Sequence, residues 1–212
     1  MKKTNQVAAS LLSVLGAAPL AAKTLTIGVD LSSSNPVYEQ EFALVAAKAA
    51  AGKVAALKPG DVVSVKTFGD RSAANARSER IQITNRNRAD KAAAKVARYI
   101  ASLPSHDEKA QGSTNLVAFF ELGTFDCANK GDVLVLSDGI ESSATFNARR
   151  FVSGKPLPKP EAQVLKGCTV TMFGLGRSLA GELTLKETKH VRAAWQTWMT
   201  QAGASFTAII DP

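Results

Sequence analysis

The sequence predicts an α/β protein, with a doubly wound, mostly parallel six-stranded sheet and helices on both faces. Strand-length apolar runs alternate with longer stretches of helical spacing along almost the whole chain, the pattern of βαβ units. Two of those runs, 25–29 and 133–136, are apolar enough for buried central strands; the first ends at Asp30 and the second, after Ser137, at Asp138. A length of 212 residues with 45% hydrophobic content suits one domain with a full core, with or without a targeting segment.

The elements follow in order. Leu25, Ile27 and Val29 alternate with small residues as in a strand, and the apolar run stops at Asp30. Pro36 sits where a helix favours its first turn. Residues 37 to about 58 read as a helix with Tyr38, Phe42, Val45 and Ala49 on one face, stopped by Pro59-Gly60. Residues 61–68 form the second strand, and Gly69-Asp70 turns the chain. Ile81 and Ile83 alternate with Gln82 and Thr84, so 80–84 reads as a half-exposed edge strand. From 87 or 90 to 103 runs a basic, alanine-rich helix, with Val96, Ile100 and Leu103 inward and Arg88, Lys91, Lys95 and Arg98 outward. Gly112-Ser-Thr-Asn115 leads into a helix opening at Leu116, and 132–136 is another strand. Residues 141–163, which hold Lys155-Pro-Leu-Pro-Lys-Pro160, read as an irregular excursion. A strand over 168–173 precedes Gly174-Leu-Gly176. A helix over 183–202 carries Val191, Trp195 and Trp198, and 204–210 is the last strand.

Residues 1–22 read as a secretory signal, with Lys2 and Lys3 ahead of a largely apolar stretch that ends in Ala21-Ala22. That stretch is short for a membrane span. An uncleaved anchor or an ordinary first helix is the other reading. Export would place a domain over 23–212 in the periplasm or outside the cell, with no transmembrane segment after signal removal. Cys127 and Cys168 fit an exported protein with one disulfide. Both stand just before neighbouring predicted strands, at the same edge of the sheet; two buried free thiols is the alternative. The net charge of +8 drops to +6 without Lys2 and Lys3, which favours acidic partners or anionic surfaces without naming one. The basic helix could touch phosphates. A solvated helix face is the plainer reading, so nucleic acid or anionic lipid is not the expected partner.

The chemistry gathers at the strand ends. In doubly wound sheets ligands bind where the winding direction reverses, here between the strands ending at Asp30 and Asp138. Two carboxylates meeting in one crevice call for a cation or a shared proton. Asp30-x-Ser32-x-Ser34 adds two hydroxyls from one tight loop, and hard divalent cations favour oxygen ligands. Helix capping by Asp30 or a serine is the plainer reading of that loop taken alone. Rival chemistries lack their residues. There is no Gly-x₄-Gly-Lys-Ser/Thr loop, no His-Glu-x-x-His and no Gly-x-Ser-x-Gly, and the glycines after 173 lack the third one of a dinucleotide loop.

In this order and spacing the motifs resemble the von Willebrand factor A domain family with its metal-ion-dependent adhesion site. The resemblance covers about 24–212. It rests on Asp30-x-Ser32-x-Ser34, on Thr114 within Gly112-Ser-Thr-Asn115, on Asp138 within Leu136-Ser-Asp-Gly139, and on 65–70 and 172–176 as strand motifs. It implies a Rossmann-like fold and a divalent cation, Mg²⁺ by default with Mn²⁺ or Ca²⁺ as alternatives. Ser32, Ser34 and Thr114 would offer hydroxyls, and Asp30 and Asp138 would act directly or through water. The remaining position would take an Asp or Glu of a protein partner, without catalysis. Glu141 and Ser142, close to Asp138 in sequence, either support these ligands from behind or belong to a solvated loop. Two other functions stay open. One is a metal-assisted phosphoester hydrolase using Asp30; the other is a structural subunit with a vestigial site and a basic binding surface.

Overall fold

The computed structural model describes residues 22–70, 77–105 and 110–210. The expected signal segment lies, except for Ala22, outside the described residues. Six strands form one sheet: β1 (Thr24–Asp30), β2 (Val62–Phe68), β3 (Ser78–Gln82), β4 (Asp132–Leu136), β5 (Thr169–Phe173) and β6 (Ser205–Ile209). Their spatial order is β3-β2-β1-β4-β5-β6. All neighbours pair in parallel except β3, which runs antiparallel to β2 at one edge. The order turns back at β1, which is flanked by β2 and β4, and this is the doubly wound sheet expected from the alternation of elements.

Five helices cover the two faces: α1 (Gln40–Ala55), α2 (Ala89–Ser102), α3 (Leu116–Leu122), α4 (Ala148–Val152) and α5 (Leu185–Gln201). Side-chain alternation along β4 shows how the sheet divides the core. Leu134 and Leu136 join Leu25, Ile27 and Val29 against α1 and α2. Val133 and Val135 join Val170 and Met172 against α3 and α5, where Phe120, Trp195 and Trp198 pack. A strand with apolar residues at successive positions has both faces covered. Among the described residues no helix is long and apolar enough to cross a membrane.

Cys127 and Cys168 are joined in a disulfide with their Cα atoms 4.5 Å apart, just ahead of β4 and β5. Gly28 on β1 lies beneath the stacked rings of Phe68 and Phe119, whose centroids are 4.4 Å apart. A Cβ there would stand 2.7 Å from the Phe119 ring, so the close packing of α3 on the sheet requires glycine at this position.

Three elements differ from expectation. The first helix is broken: Pro36–Tyr38 is a single 3-10 turn, Glu39 is extended at ψ 128°, and α1 starts only at Gln40. Its buried face is Phe42, Ala43, Ala46, Ala47, Ala50 and Val54, while Val45 points outward. With alanine dominating the stretch, hydrophobic spacing underdetermines the face. The edge strand is Ser78–Gln82, two residues earlier than the alternation suggested. Ile83 is buried beyond its end, tied by its N–H to the Asp61 carbonyl at 2.8 Å. The excursion over 141–163 contains α4, whose N-cap Asn147 accepts the Arg150 N–H at 3.1 Å. Glu141, at 3% exposure, is no part of a solvated loop.

Candidate metal centre

Parallel pairing of Val29 with Leu136 sets the ends of β1 and β4 side by side. Asp30 closes β1 and is wholly buried. Its Oδ1 accepts the Ser32 N–H at 2.8 Å and its Oδ2 the Ser137 hydroxyl at 2.7 Å. Asp138 follows β4 and is equally buried. Its Oδ1 accepts the Ile140 N–H at 2.9 Å, whereas its Oδ2 is buried with no hydrogen-bond partner among the described residues. Gly139 makes the sharp exit after Asp138 at φ +75°, and its carbonyl receives the Trp195 indole N–H at 2.7 Å.

Burial pushes the Asp30 carboxyl up to about 7, helped by repulsion from Asp138 and opposed by the Ser137 and Ser32 hydrogen bonds. Burial raises Asp138 as well, to about 6, against the Ile140 N–H and the nearby Ser34 and Ser178 hydroxyls. Those two hydroxyls approach the carboxylate without completing a well-formed bond to Oδ2. Among the described residues no Lys or Arg pairs with either aspartate. Two buried carboxylates are thus brought together without a cationic side chain, an arrangement that costs free energy unless a proton or a cation joins them.

The serine loop is fastened over this pair. Asn35 donates from Nδ2 to the carbonyls of Asp30 at 2.5 Å and Leu136 at 3.0 Å, spanning the two central strands. Gln111 pairs with the loop through two backbone bonds, its N–H to the Leu31 carbonyl and its carbonyl from the Ser33 N–H, each 2.8 Å. The Ser32 and Ser34 hydroxyls lie 3.3 Å apart. Thr114, 1% exposed, exchanges two backbone bonds with Ser142, of 2.6 and 2.9 Å. Beside it the Glu141 carboxylate accepts the Val117 N–H in the first turn of α3 at 3.0 Å, and burial pushes its pKa up to about 7. Glu141 and Ser142 therefore hold the Thr114 loop in place.

Above the aspartates opens a cleft of about 360 Å³, lined among others by Ser32, Ser34, Thr114, Ser142, Arg149 and Ser178. One wall is α4, so the excursion shapes the cleft; another is the loop from β5 to α5. A somewhat larger apolar hollow of about 430 Å³ lies between β3 and α2, but none of the gathered oxygens reaches it. Among the described residues no three His, Cys, Asp and Glu side chains cluster. The set here is instead two carboxylates with hydroxyls, a donor chemistry that fits a hard divalent ion. The unsatisfied Asp138 Oδ2 is an acceptor in want of a positive partner.

The structure thus brings Ser32, Ser34, Thr114 and Ser142 to one cleft, with Asp30 and Asp138 beneath it and Glu141 behind Thr114. Sequence reasoning missed Ser137, Asn35 and Ser178. Ser178 carried no local signal, sitting in a stretch that faintly resembled a dinucleotide loop.

No protein-family profile matches the chain, and no curated protein matches it in sequence. Solved structures of similar fold include an aerotolerance-related membrane protein from Bacteroides fragilis, with 13% identity, TM-score 0.45, and coverage of 89% of this chain and 92% of that one. The SpRpn10 VWA domain has 13% identity, TM-score 0.42, and coverage of 89% and 88%. The pilus adhesin SpaC from Lactobacillus rhamnosus GG has 12% identity, TM-score 0.47, and coverage of 91% of this chain but 29% of that longer one. Likeness at this level concerns the α/β fold and says nothing of ligands.

Proposed function

We propose that this protein is an exported, non-enzymatic binding module. Its cleft would hold a divalent cation, Mg²⁺ by default, and through it an acidic side chain of a protein partner. The observation that carries this reading is the buried pair Asp30 and Asp138, paired with no Lys or Arg among the described residues and with one carboxylate oxygen unsatisfied there. Ser32, Ser34 and Thr114 would supply neutral hydroxyls, with Asp30 and Asp138 close behind or in direct contact. So few formal charges would leave a bound ion electrophilic, able to attract a further carboxylate. The chain's own residues do the holding: Asn35 and Gln111 fix the serine loop, and Glu141 and Ser142 fix Thr114. The disulfide suits an oxidising compartment, in keeping with export.

The hydrolase alternative meets an obstacle. Asp30 has no exposed surface, so a phosphoester, far bulkier than a metal ion, has no path for in-line attack by its carboxylate. The basic-surface alternative also weakens, since Arg88 pairs with Asp90 at 3.0 Å and Lys95 pairs with Glu79. Both contacts are exposed and add little stability, but they offset the charge a phosphate would meet.

Isothermal calorimetry with Mg²⁺ and Mn²⁺ tests the reading. The protein should bind one ion, and Asp138→Asn should bind it at least tenfold more weakly. Water-proton relaxation of the Mn²⁺ form should show exchangeable water that acetate displaces. No ion binding, or equal binding by Asp138→Asn, would refute the proposal.

A further inference from the structure

The loop joining β5 to α5 is tied into the aspartate cleft at two points. The Gly176 N–H donates to the Asp138 carbonyl at 2.7 Å, and the Leu179 N–H donates to the Ser34 carbonyl at 2.8 Å. One tie grips the residue whose carboxylate is unsatisfied; the other grips the second serine of the hydroxyl loop. Ser178 lies between them and lines the cleft together with Ser32, Ser34 and Thr114. The path is closely specified. Gly174 and Gly176 have φ of +97° and +85°, and Cβ atoms there would stand 2.6 Å from the Phe42 ring and 2.7 Å from Thr188 Cγ2. The loop is therefore built to reach over the ends of the central strands.

The hydroxyl of Ser178 is suited to what Asp138 lacks. Its oxygen accepts the Ala180 N–H at 3.3 Å, which leaves the hydroxyl hydrogen to be donated elsewhere. Asp138 Oδ2 is a buried acceptor without a partner among the described residues, and the Gly176 tie to the Asp138 carbonyl stands two positions from Ser178 on the same loop.

We infer that Ser178 is a positioning residue of the ion site: its hydroxyl orients the Asp138 carboxylate, and the loop carrying it couples Asp138 to Ser34. The inference rests on the reading of the cleft as a cation site and adds a hydroxyl from a third segment of the chain, outside the Asp30–Ser34, Thr114 and Asp138 set. A group that orients a metal-binding carboxylate typically changes ion affinity by roughly 10–100-fold when removed. Ser178 stands on a surface loop, so it should contribute little to the stability of the ion-free fold.

The test compares wild type, Ser178→Ala, Ser178→Thr and Ser33→Ala in the full chain, with Mg²⁺ and Mn²⁺ as probes in calorimetry and thermal melting. In chelator all four should melt together. Ser178→Ala should weaken ion binding at least tenfold and lose most of the ion-induced gain in melting temperature. Ser178→Thr, which keeps the hydroxyl, should restore both. Ser33→Ala removes an exposed hydroxyl from the same cleft and should match wild type. Equal ion affinity in Ser178→Ala and wild type overturns this inference and leaves the proposed ion site standing. An equal loss in Ser33→Ala overturns it as well, because the effect would then belong to the cleft in general. A wild type that binds neither ion overturns both readings.

Discussion

Titrating the fold in the absence and presence of Mg²⁺ probes the aspartate pair directly. The Asp30 carboxyl moves from its ordinary 3.8 to about 7 on folding. A rise of roughly three pH units, at about 1.4 kcal/mol per unit, amounts to ~4 kcal/mol as an upper bound for a group with no exposed surface. The sign follows from proton counting. Between about pH 4 and 7 the folded chain keeps a proton that the unfolded chain has released. In chelator, stability is therefore highest below the ordinary carboxylate range, falls as pH rises across that window, and levels off above it. Asp138 and Glu141, raised to about 6 and about 7, act in the same direction. A cation reverses the trend, because it binds the deprotonated pair. At 100 times its Kd it stabilises by about 2.7 kcal/mol, which at roughly 2–4 °C per kcal/mol is a gain of roughly 5–11 °C. That gain should be full at pH 8 and shrink toward pH 5, where protons compete. Asp30→Asn isolates the cause. The amide oxygen can still accept from the Ser32 N–H, and the Ser137 hydroxyl can reverse to accept from the amide nitrogen. In chelator at pH 8 this variant should melt above wild type, show a shallower pH dependence and gain nothing from Mg²⁺. Differential scanning calorimetry from pH 4 to 8 is the assay. Stability that climbs with pH in chelator, or the same Mg²⁺ gain in Asp30→Asn, would refute the reasoning.

Other outcomes follow from the same geometry. Replacing Cys127 and Cys168 together by alanine opens a covalent link across 41 positions and should cost about 4 kcal/mol on the loop-entropy relation, read as a lower denaturant midpoint that reductant no longer changes. Gly28→Ala sets a Cβ 2.7 Å from a Phe119 ring already confined by Phe68, Phe120 and Phe125, and should lose about 1–3 kcal/mol in chemical denaturation. Glu141→Gln keeps an acceptor for the Val117 N–H and should stay near wild-type stability at pH 6. Glu141→Ala strands that buried donor and should cost about 1–3 kcal/mol; equal melting of the two variants would remove Glu141 from its role at α3.

The class of fold and most of the candidate site were legible in the sequence because both depend on local pattern. Apolar runs of strand length, interrupted by helical spacing, define a parallel α/β sheet, and Asp30 and Asp138 mark the carboxyl ends of its central strands. Asp-x-Ser-x-Ser places its oxygens within one loop, and Thr114 announced itself beside a helix start. Other features were illegible for physical reasons. An alanine-rich helix such as α1 presents nearly the same hydrophobicity on every side, so only contact with α2 and the sheet chose Phe42, Ala46 and Ala50 over Val45. The edge of β3 was set by its pairing with β2, which no alternation of its own could reveal. The short α4 gains its place from packing and from the Asn147 cap.

What the chain determined by itself is therefore the order of its elements and the residue types at the strand ends. What only the tertiary structure decided is which distant groups meet there. Asn35 bridging β1 and β4, Glu141 anchored at α3, and the Gly176 N–H bound to the Asp138 carbonyl join residues up to 146 positions from Asp30. Hydrogen bonds between such groups depend on how the sheet twists and its loops close, and the local spacing of residues carries no record of that.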